Sequence, residues 1–204
     1  VALALHINVH RQIDDPARIP EFIQRAWHTA TSGRMGPVVL VLPEDVLEEH
    51  SDVADGRPSR RASGGSPSAR DLDTLFAMLG EAERPLVIAG GSGWSEEARD
   101  NLQRFALASG LPVVTTFRRR DIIDHRLAVY AGEIGIGSNP ALLAKIRESD
   151  FVLMVNDSLS DVNTIGAGYM EGFTLFSIPV PRQKFVHVAP GVEELNRVFQ
   201  VDLA

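Results

Sequence analysis

The stretch Arg84–Phe117, RPLVIAGGSGWSEEARDNLQRFALASGLPVVTTF, decides the fold. Pro85 opens an apolar run (Leu86, Val87, Ile88, Ala89) that ends in Gly90, Gly91, Ser92 and Gly93. That pattern predicts a buried strand followed by a turn the backbone can pass at positive φ. From Glu96 to Ser109, Ala98, Leu102, Phe105, Ala106 and Ala108 or Ser109 recur at helical spacing, with Gly110 as a stop and Pro112 just beyond it. A second strand, Val113 to Phe117, follows directly. Strand, crossover helix and strand in about thirty residues make the βαβ unit of a parallel sheet, which helices must cover on both faces.

Downstream, Arg118, Arg119, Arg120 and Asp121 lead through Ile122–Tyr130 into the loop AGEIGIGSNP. Ser138 or Asn139 caps a helix whose first residue is Pro140 and whose buried side carries Leu142, Leu143 and Ile146. Phe151 to Val155 is a third apolar strand, and after a looser region (156–172) a fourth runs from Phe185 to Val188. The alternation predicts an α/β fold with an open, doubly wound, mostly parallel Rossmann-like sheet. Its functional crevice should lie beyond the strand carboxyl ends, where residues 90–93, 117–120, 156–161 and 187–191 converge.

Upstream, a helical pattern from Asp71 to Glu83 (Leu72, Leu75, Phe76, Leu79) feeds the first strand. Before it the chemistry changes. Residues 48–70, including DGRPSRRASGGSPSAR, are too poor in apolar side chains to offset their ordering entropy, and read as a linker. Arg57, Arg60 and Arg61 within it read as solvating charge. Residues 1–47 are themselves strand, helix and strand: alternating Leu3, Leu5, Ile7 and Val9, then a helix opened by Pro16 and Pro20 and stopped at Thr31–Gly33, then Val38–Leu42 closed by Pro43. The chain opens at Val1 inside an apolar alternation, so it reads as a piece of something longer.

With 204 residues, 44% hydrophobic and 23% charged, the composition is that of a globular protein with room for one sizeable core and an appendage. The net charge of -7 argues against nucleic-acid or anionic-membrane partners, which need a basic face. Zero cysteines exclude disulfides, thiolate metal sites and a cysteine nucleophile, and fit a reducing, cytoplasmic setting. No segment approaches the roughly 20 apolar residues of a membrane span.

The crevice loops carry little chemistry as they stand. Gly90–Gly93 falls short of GxGxxG because Glu96 occupies the third glycine position, and Glu96 and Glu97 would repel a phosphate at that helix start. Arg118, not an acidic residue, follows the second strand, so nothing there holds a ribose. His187 has no partner at ligand spacing and reads as structural rather than as a metal ligand or base. Asp157 and Asp161 are either a carboxylate pair or ordinary turn and cap residues. Trp27 and Trp94 read as packing, and the histidines and serines form no triad.

The segment PEFIQRAWHTATSGRMGPVVLVLPEDV (20–46) resembles the end of the pyrimidine-binding domain of thiamine-diphosphate (ThDP) enzymes of the acetolactate synthase large-subunit family, where "ATSGRPGPV", a strand and "P.DV" recur. The matching positions are Ala30, Ser32, Gly33, Arg34, Gly36, Pro37, Val38, Pro43, Asp45 and Val46. RPLVIAGGSG, FALASGLPVVTTF, HRLAVYAGEIGIGSNPAL, ESDFVLMVNDSLSD and PRQKFVHVAPGVEELNRVF resemble that family's central domain, in order. The resemblance implies three segments: 1–47 as the C-terminal part of the pyrimidine domain, 48–70 as linker, and 71–204 as the central Rossmann-like domain. It also implies a homo-oligomeric parent that uses ThDP and Mg²⁺ on a small-molecule 2-keto acid, as a carboligase or decarboxylase. In the family the glutamate that activates the thiazolium lies upstream of this window and the GDG motif downstream, and no GDG occurs here. The chain is therefore expected to hold no catalytic or metal residue and to be inactive alone.

Central domains of this family hold FAD, ADP or nothing. Where FAD-binding members resemble "HIDIDP", this chain reads His187, Val188, Ala189, Pro190, Gly191, and where they resemble "GVRFDDR" it reads Val155 to Asp161 without either arginine. The "GMLGMHG" segment is only loosely echoed by Ala131–Gly137. No FAD is expected. Should a nucleotide bind, Gly91, Ser92, Gly93, Arg118, Asn156 and Ala189 are the candidate cofactor-binding residues. The alternative from another class is a self-standing nucleotide-binding module on a Rossmann-like sheet.

Overall fold

A computed structural model describes residues 9–33, 35–58, 65–158, 160–165 and 172–204, with the backbone alone at Val9 and His10. Leu3, Leu5 and Ile7 of the expected first strand, and Arg34, Arg60, Arg61 and Leu159, lie outside the described residues. The chain divides into two units, residues 1–65 and 66–204.

In the first unit, β1 (Val9–Gln12) pairs in parallel with β2 (Val38–Val41), and α1 (Ile19–Thr31) connects them. The start of this helix follows from local chemistry. Asp15 caps a short 3-10 turn opened by Pro16, and Pro20 then stands in the first turn of α1. Gly33 leaves the helix at φ 54°, a left-handed value that favours glycine. A short helix, α2 (Glu44–Glu48), follows Pro43, where the sequence reading has none. Its capping signal is only Glu44 and Asp45 in the first turn, and it is shorter than hydrophobic periodicity can register. Ile13 and Val46 are the buried apolar residues here, while α1 buries nothing and leaves Ile23 and Trp27 about half exposed.

The second unit opens on α3 (Ala69–Glu81), which begins at a reciprocal cap: Ser68 Oγ accepts from Asp71 N, and the Asp71 carboxylate accepts from Ser68 N. Then come β3 (Pro85–Ala89), α4 (Glu96–Ser109), β4 (Val113–Thr115), β5 (Tyr130–Glu133), α5 (Pro140–Glu148), β6 (Phe151–Val155) and β7 (Lys184–Val188). The strands form one parallel sheet in the order β5-β4-β3-β6-β7. The chain starts in the middle, winds outward through β4 and β5, then crosses back over β3 to lay down β6 and β7. This is the doubly wound topology read from the sequence, and its switch point lies between β3 and β6.

Alternation along the strands sends Leu86, Ile88, Val152 and Met154 to the α5 face, where Leu143, Ile146, Phe176, Phe185 and Phe199 complete one core. Val87, Ala89, Phe151 and Leu153 face the other way, onto Leu102 and Ala106 of α4, with Leu75, Met78 and Leu79 of α3 against them. The last residues of the chain cover the outer edge of β7: His187 N–H donates to Leu203 O at 2.9 Å, and Asp202 N–H to Phe185 O at 2.9 Å.

Two details depart from the sequence reading. The expected loop AGEIGIGSNP begins with the edge strand β5, and the expected strand to Phe117 stops at Thr115. The stop follows from the backbone turning at Arg118, which takes φ 63°. β5 escapes detection because Tyr130–Glu133 has no apolar run, contains Gly132 at φ 126°, and joins β4 through a register shift at Val113/Val114.

Candidate crevice at the strand carboxyl ends

The loops after β3, β4 and β6 meet at the switch point, and Asp157 stands at their centre. β6 delivers it there after Asn156, whose φ of 60° turns the chain sharply off the strand. One carboxylate oxygen, Oδ2, accepts from Gly91 N–H at 3.1 Å and from the Thr116 hydroxyl at 2.7 Å. The other, Oδ1, accepts from Asn163 Nδ2 at 2.8 Å. Asn163 in turn accepts from Phe117 N–H at 3.0 Å, and the Asp157 carbonyl takes the His187 Nε2–H at 2.8 Å. Asp157, Thr116, Asn163 and His187 are all buried. The Asp157 side chain thus joins the loops after β3, β4 and β6, and its main-chain carbonyl takes the bond from β7.

The glycines are what let it in. A Cβ on Gly90 would lie 2.1 Å from Asp157 Oδ2 and 2.2 Å from Thr116 Oγ1, and one on Gly91 would lie 1.6 Å from Asn156 O. Gly91 also sits at φ 63°. Close approach and positive φ together demand glycine at Gly91, and close approach alone demands it at Gly90. The N–H that a glycine-rich turn would offer a phosphate is spent on an internal carboxylate.

Of the six sequence-read positions, the fold brings Gly91, Ser92 and Asn156 together. The Asn156 side-chain amide donates to Ser92 O at 2.7 Å, a contact that holds Asn156 in its left-handed conformation. Gly93 continues the same turn at φ 82° and is exposed. Arg118 does not join them. Its N–H donates to Glu133 Oε1 of β5 at 2.8 Å, and its guanidinium lies over the Phe117 ring at 5.0 Å. Ala189 follows β7 on the opposite flank. Three strand intervals separate the ends of β4 and β7, about 14 Å at the usual interstrand spacing, so these two positions serve no common small group.

Asp157 and Asp161 are not a pair. Asp157 has donors on both oxygens, and Asp161 accepts from Val162 N–H at 2.8 Å as the cap of a 3-10 turn. The cap reading holds for Asp161 alone, because the partners of Asp157 include Gly91 and Thr116, 66 and 41 residues away. Thr116 and Asn163 carry no signal in the sequence. A threonine at a strand end and an asparagine in a loop are ordinary residues until the fold aims them at one carboxylate. Trp94 is held by its indole N–H, which donates to Gly90 O at 2.6 Å, and it packs against the α4-side core. Burial pushes the His187 imidazole below its ordinary 6.5, against the opposing pull of the Asp157 carbonyl and of the Asp157 and Glu194 charges. This histidine is neutral at neutral pH and donates from Nε2, a structural role.

Among the described residues no group of three or more His, Asp and Glu side chains is placed to hold a metal, and no helix is long and apolar enough to cross a membrane. At the turn the Asp157 carboxylate stands where an incoming anion would dock, with Gly91 N–H and the Thr116 hydroxyl already donating to it. Chemically the crevice is a closed structural knot.

Comparison with known proteins places this geometry. Residues 72–204 match the family model described as "Thiamine pyrophosphate enzyme, central domain". The acetolactate synthase large subunit of Corynebacterium glutamicum is 26% identical over 195 residues, covering 94% of this chain and 30% of that protein. Glyoxylate carboligase of Escherichia coli O157:H7 is 29% identical over 200 residues, 94% of this chain and 31% of the relative. A probable acetolactate synthase large subunit of Methanocaldococcus jannaschii is 27% identical over 214 residues, covering 100% of this chain and 34% of the relative. The chain spans about a third of the length of the curated relatives it matches.

Proposed function

The chain belongs to the thiamine pyrophosphate enzymes, in the family of their central domain, and on that premise we propose that it is the structural middle of a ThDP-dependent carboligase. Its relatives are acetolactate synthases and a glyoxylate carboligase, so the substrate class is a small 2-keto acid joined to a second carbonyl compound after loss of CO₂. ThDP supplies the carbanion chemistry, with Mg²⁺ on its diphosphate, in a cytoplasmic, homo-oligomeric parent. Residues 71–204 are the central domain, 48–70 the linker, and 1–47 the end of the pyrimidine-binding domain. What supports the last assignment is the unfinished state of the first unit. A parallel sheet is stable when both faces are covered, yet among the described residues α1 packs on β2 and every residue of β2 stays only half-buried.

The observation that carries the structural role is the Asp157 knot. A dinucleotide at the switch point would have to displace a buried carboxylate from three donors, and charge-assisted hydrogen bonds of that kind are worth about 1.5–3 kcal/mol each. The same occupancy disfavours a self-standing nucleotide-binding module. Calorimetric titration of this chain with FAD, and separately with ThDP and Mg²⁺, tests the reading against full-length protein. No heat of binding for either ligand in the chain, with ThDP binding and CO₂ release from pyruvate in the full-length protein, is the expected result. Micromolar affinity of the chain for FAD or ThDP overturns it.

A further inference from the structure

We infer that Asp55–Gly56, in the exposed segment that follows α2 in the first unit, is a site of spontaneous isoaspartyl modification. The amide nitrogen of Gly56 gives up its proton and attacks Cγ of the Asp55 carboxyl, and one water leaves as a five-membered succinimide closes. Water then adds to the main-chain carbonyl of Asp55 and breaks its bond to the Gly56 nitrogen. The chain now runs through Cγ, and the former main-chain carbonyl is a free carboxylate. One water is lost and one regained, nothing is oxidised or reduced, and no catalyst is required.

Three conditions govern the attack, and they coincide here. The nitrogen must swing close to Cγ, which a β-carbon on the following residue hinders. Gly56 has none, and nothing lies within 4 Å of where it would be. The amide must not be held, and among the described residues Gly56 N–H donates no hydrogen bond. The carboxyl must be free to turn, and residues 49–58 are all exposed and outside any helix or strand.

Other aspartates fail at least one condition. Asp15 precedes Pro16, which has no N–H. Asp71 is locked in the cap of α3, Asp150 accepts from the N–H groups of Glu83 and Arg84, and Asp157 is buried in its knot. Asp52 shares the exposed segment, but Val53 follows it, and a β-branched side chain obstructs the approach. Asp55 is the sole aspartate followed by glycine, and no asparagine precedes a glycine, so the competing deamidation route has no equally open site.

The test is to hold the chain at physiological temperature and neutral pH for some weeks and map isoaspartate by peptide mass spectrometry with electron-transfer fragmentation. Isoaspartate should accumulate at Asp55 ahead of every other position. In Gly56→Ala it should form roughly tenfold more slowly, since the added β-carbon restricts the backbone, and in Asp55→Glu it should be absent. An equal yield at Asp52, or an unchanged rate in Gly56→Ala, overturns the assignment. Both variants lie in an exposed segment outside either core, and circular dichroism of each should match the parent chain.

Discussion

Asp157 accepts hydrogen bonds from segments far apart in sequence, so the three-donor knot should behave as one energetic unit. Asp157→Ala leaves the buried Thr116 hydroxyl and Asn163 amide and the part-buried Gly91 N–H without this acceptor, and should lower stability by about 3 kcal/mol in urea unfolding. Asp157→Asn keeps the shape but turns one acceptor into a donor facing other donors, and should recover less than half of that loss. Near-identical stabilities of Asp157→Ala and the parent chain would show that the knot contributes nothing. Gly90→Ala, which drives a methyl into Asp157 and Thr116, should cost about as much as Asp157→Ala, without additivity in the double variant. His187 supplies the pH dependence. Its folded pKa lies below the ordinary 6.5, because burial penalises the charged ring. The unfolded chain therefore binds the proton more readily, so this contribution is complete above pH 6.5 and is lost as pH falls toward the depressed folded value. At half-buried Asp150, and even at exposed Asp202, desolvation opposes ionisation. Backbone N–H groups, and Lys184 at Asp202, still hold both below 3.8, and their contributions fade only as pH falls below that value. Unfolding free energies measured from pH 8 downward should decline in two stages, and His187→Gln should remove the first.

Helix ends set the scale of the elements. α4 starts at Ser95, whose hydroxyl accepts from Ala98 N–H at 3.1 Å, and stops at Gly110, which takes φ 65° and returns its N–H to Ala106 O. Gly110→Ala has open space for its methyl but a left-handed backbone, and should cost about 1 kcal/mol. Ser68→Ala, which removes the reciprocal cap of α3, should cost a similar ~1 kcal/mol. Thermal unfolding of both variants measures these, and a loss under a few tenths of a kcal/mol at either position would show that packing against the sheet alone sets the boundary. These punctuation signals are why α4, α5 and β6 are legible residue for residue, their caps and stops being local chemistry. β5 is not legible, since an edge strand of four residues draws its identity from hydrogen bonds to β4 and not from its own pattern.

For the whole molecule, the proposed boundary between the units predicts where a protease enters. Residues 49–58 and 65–68 are exposed and without regular structure, whereas β3, β4 and β6 are buried between two cores. Limited digestion with trypsin should cut first between Asp52 and Arg70, sparing the Arg57–Pro58 bond, and initial cleavage inside residues 85–188 would refute that division. The alternation of strands and helices, apart from the edge strand β5 and the short helix α2, and the two-face covering of the sheet follow from the sequence alone, because hydrophobic period, proline, glycine and cap residues act within a few neighbours. The family resemblance rests on the same local stretches, and the match of residues 72–204 to the central-domain model agrees with it. What the tertiary structure decided is the state of the crevice. The sequence argues against a phosphate cradle at Gly90–Gly93 but does not say what fills the turn, and it leaves Asp157 as half of a carboxylate pair or an ordinary turn and cap residue. Only the parallel stacking of β4, β3 and β6 carries Thr116, Gly91 and Asp157 to one point and makes the turn's anion an internal carboxylate. Contacts across 41 and 66 residues leave no periodicity in the chain, since their geometry comes from the sheet and not from neighbouring residues.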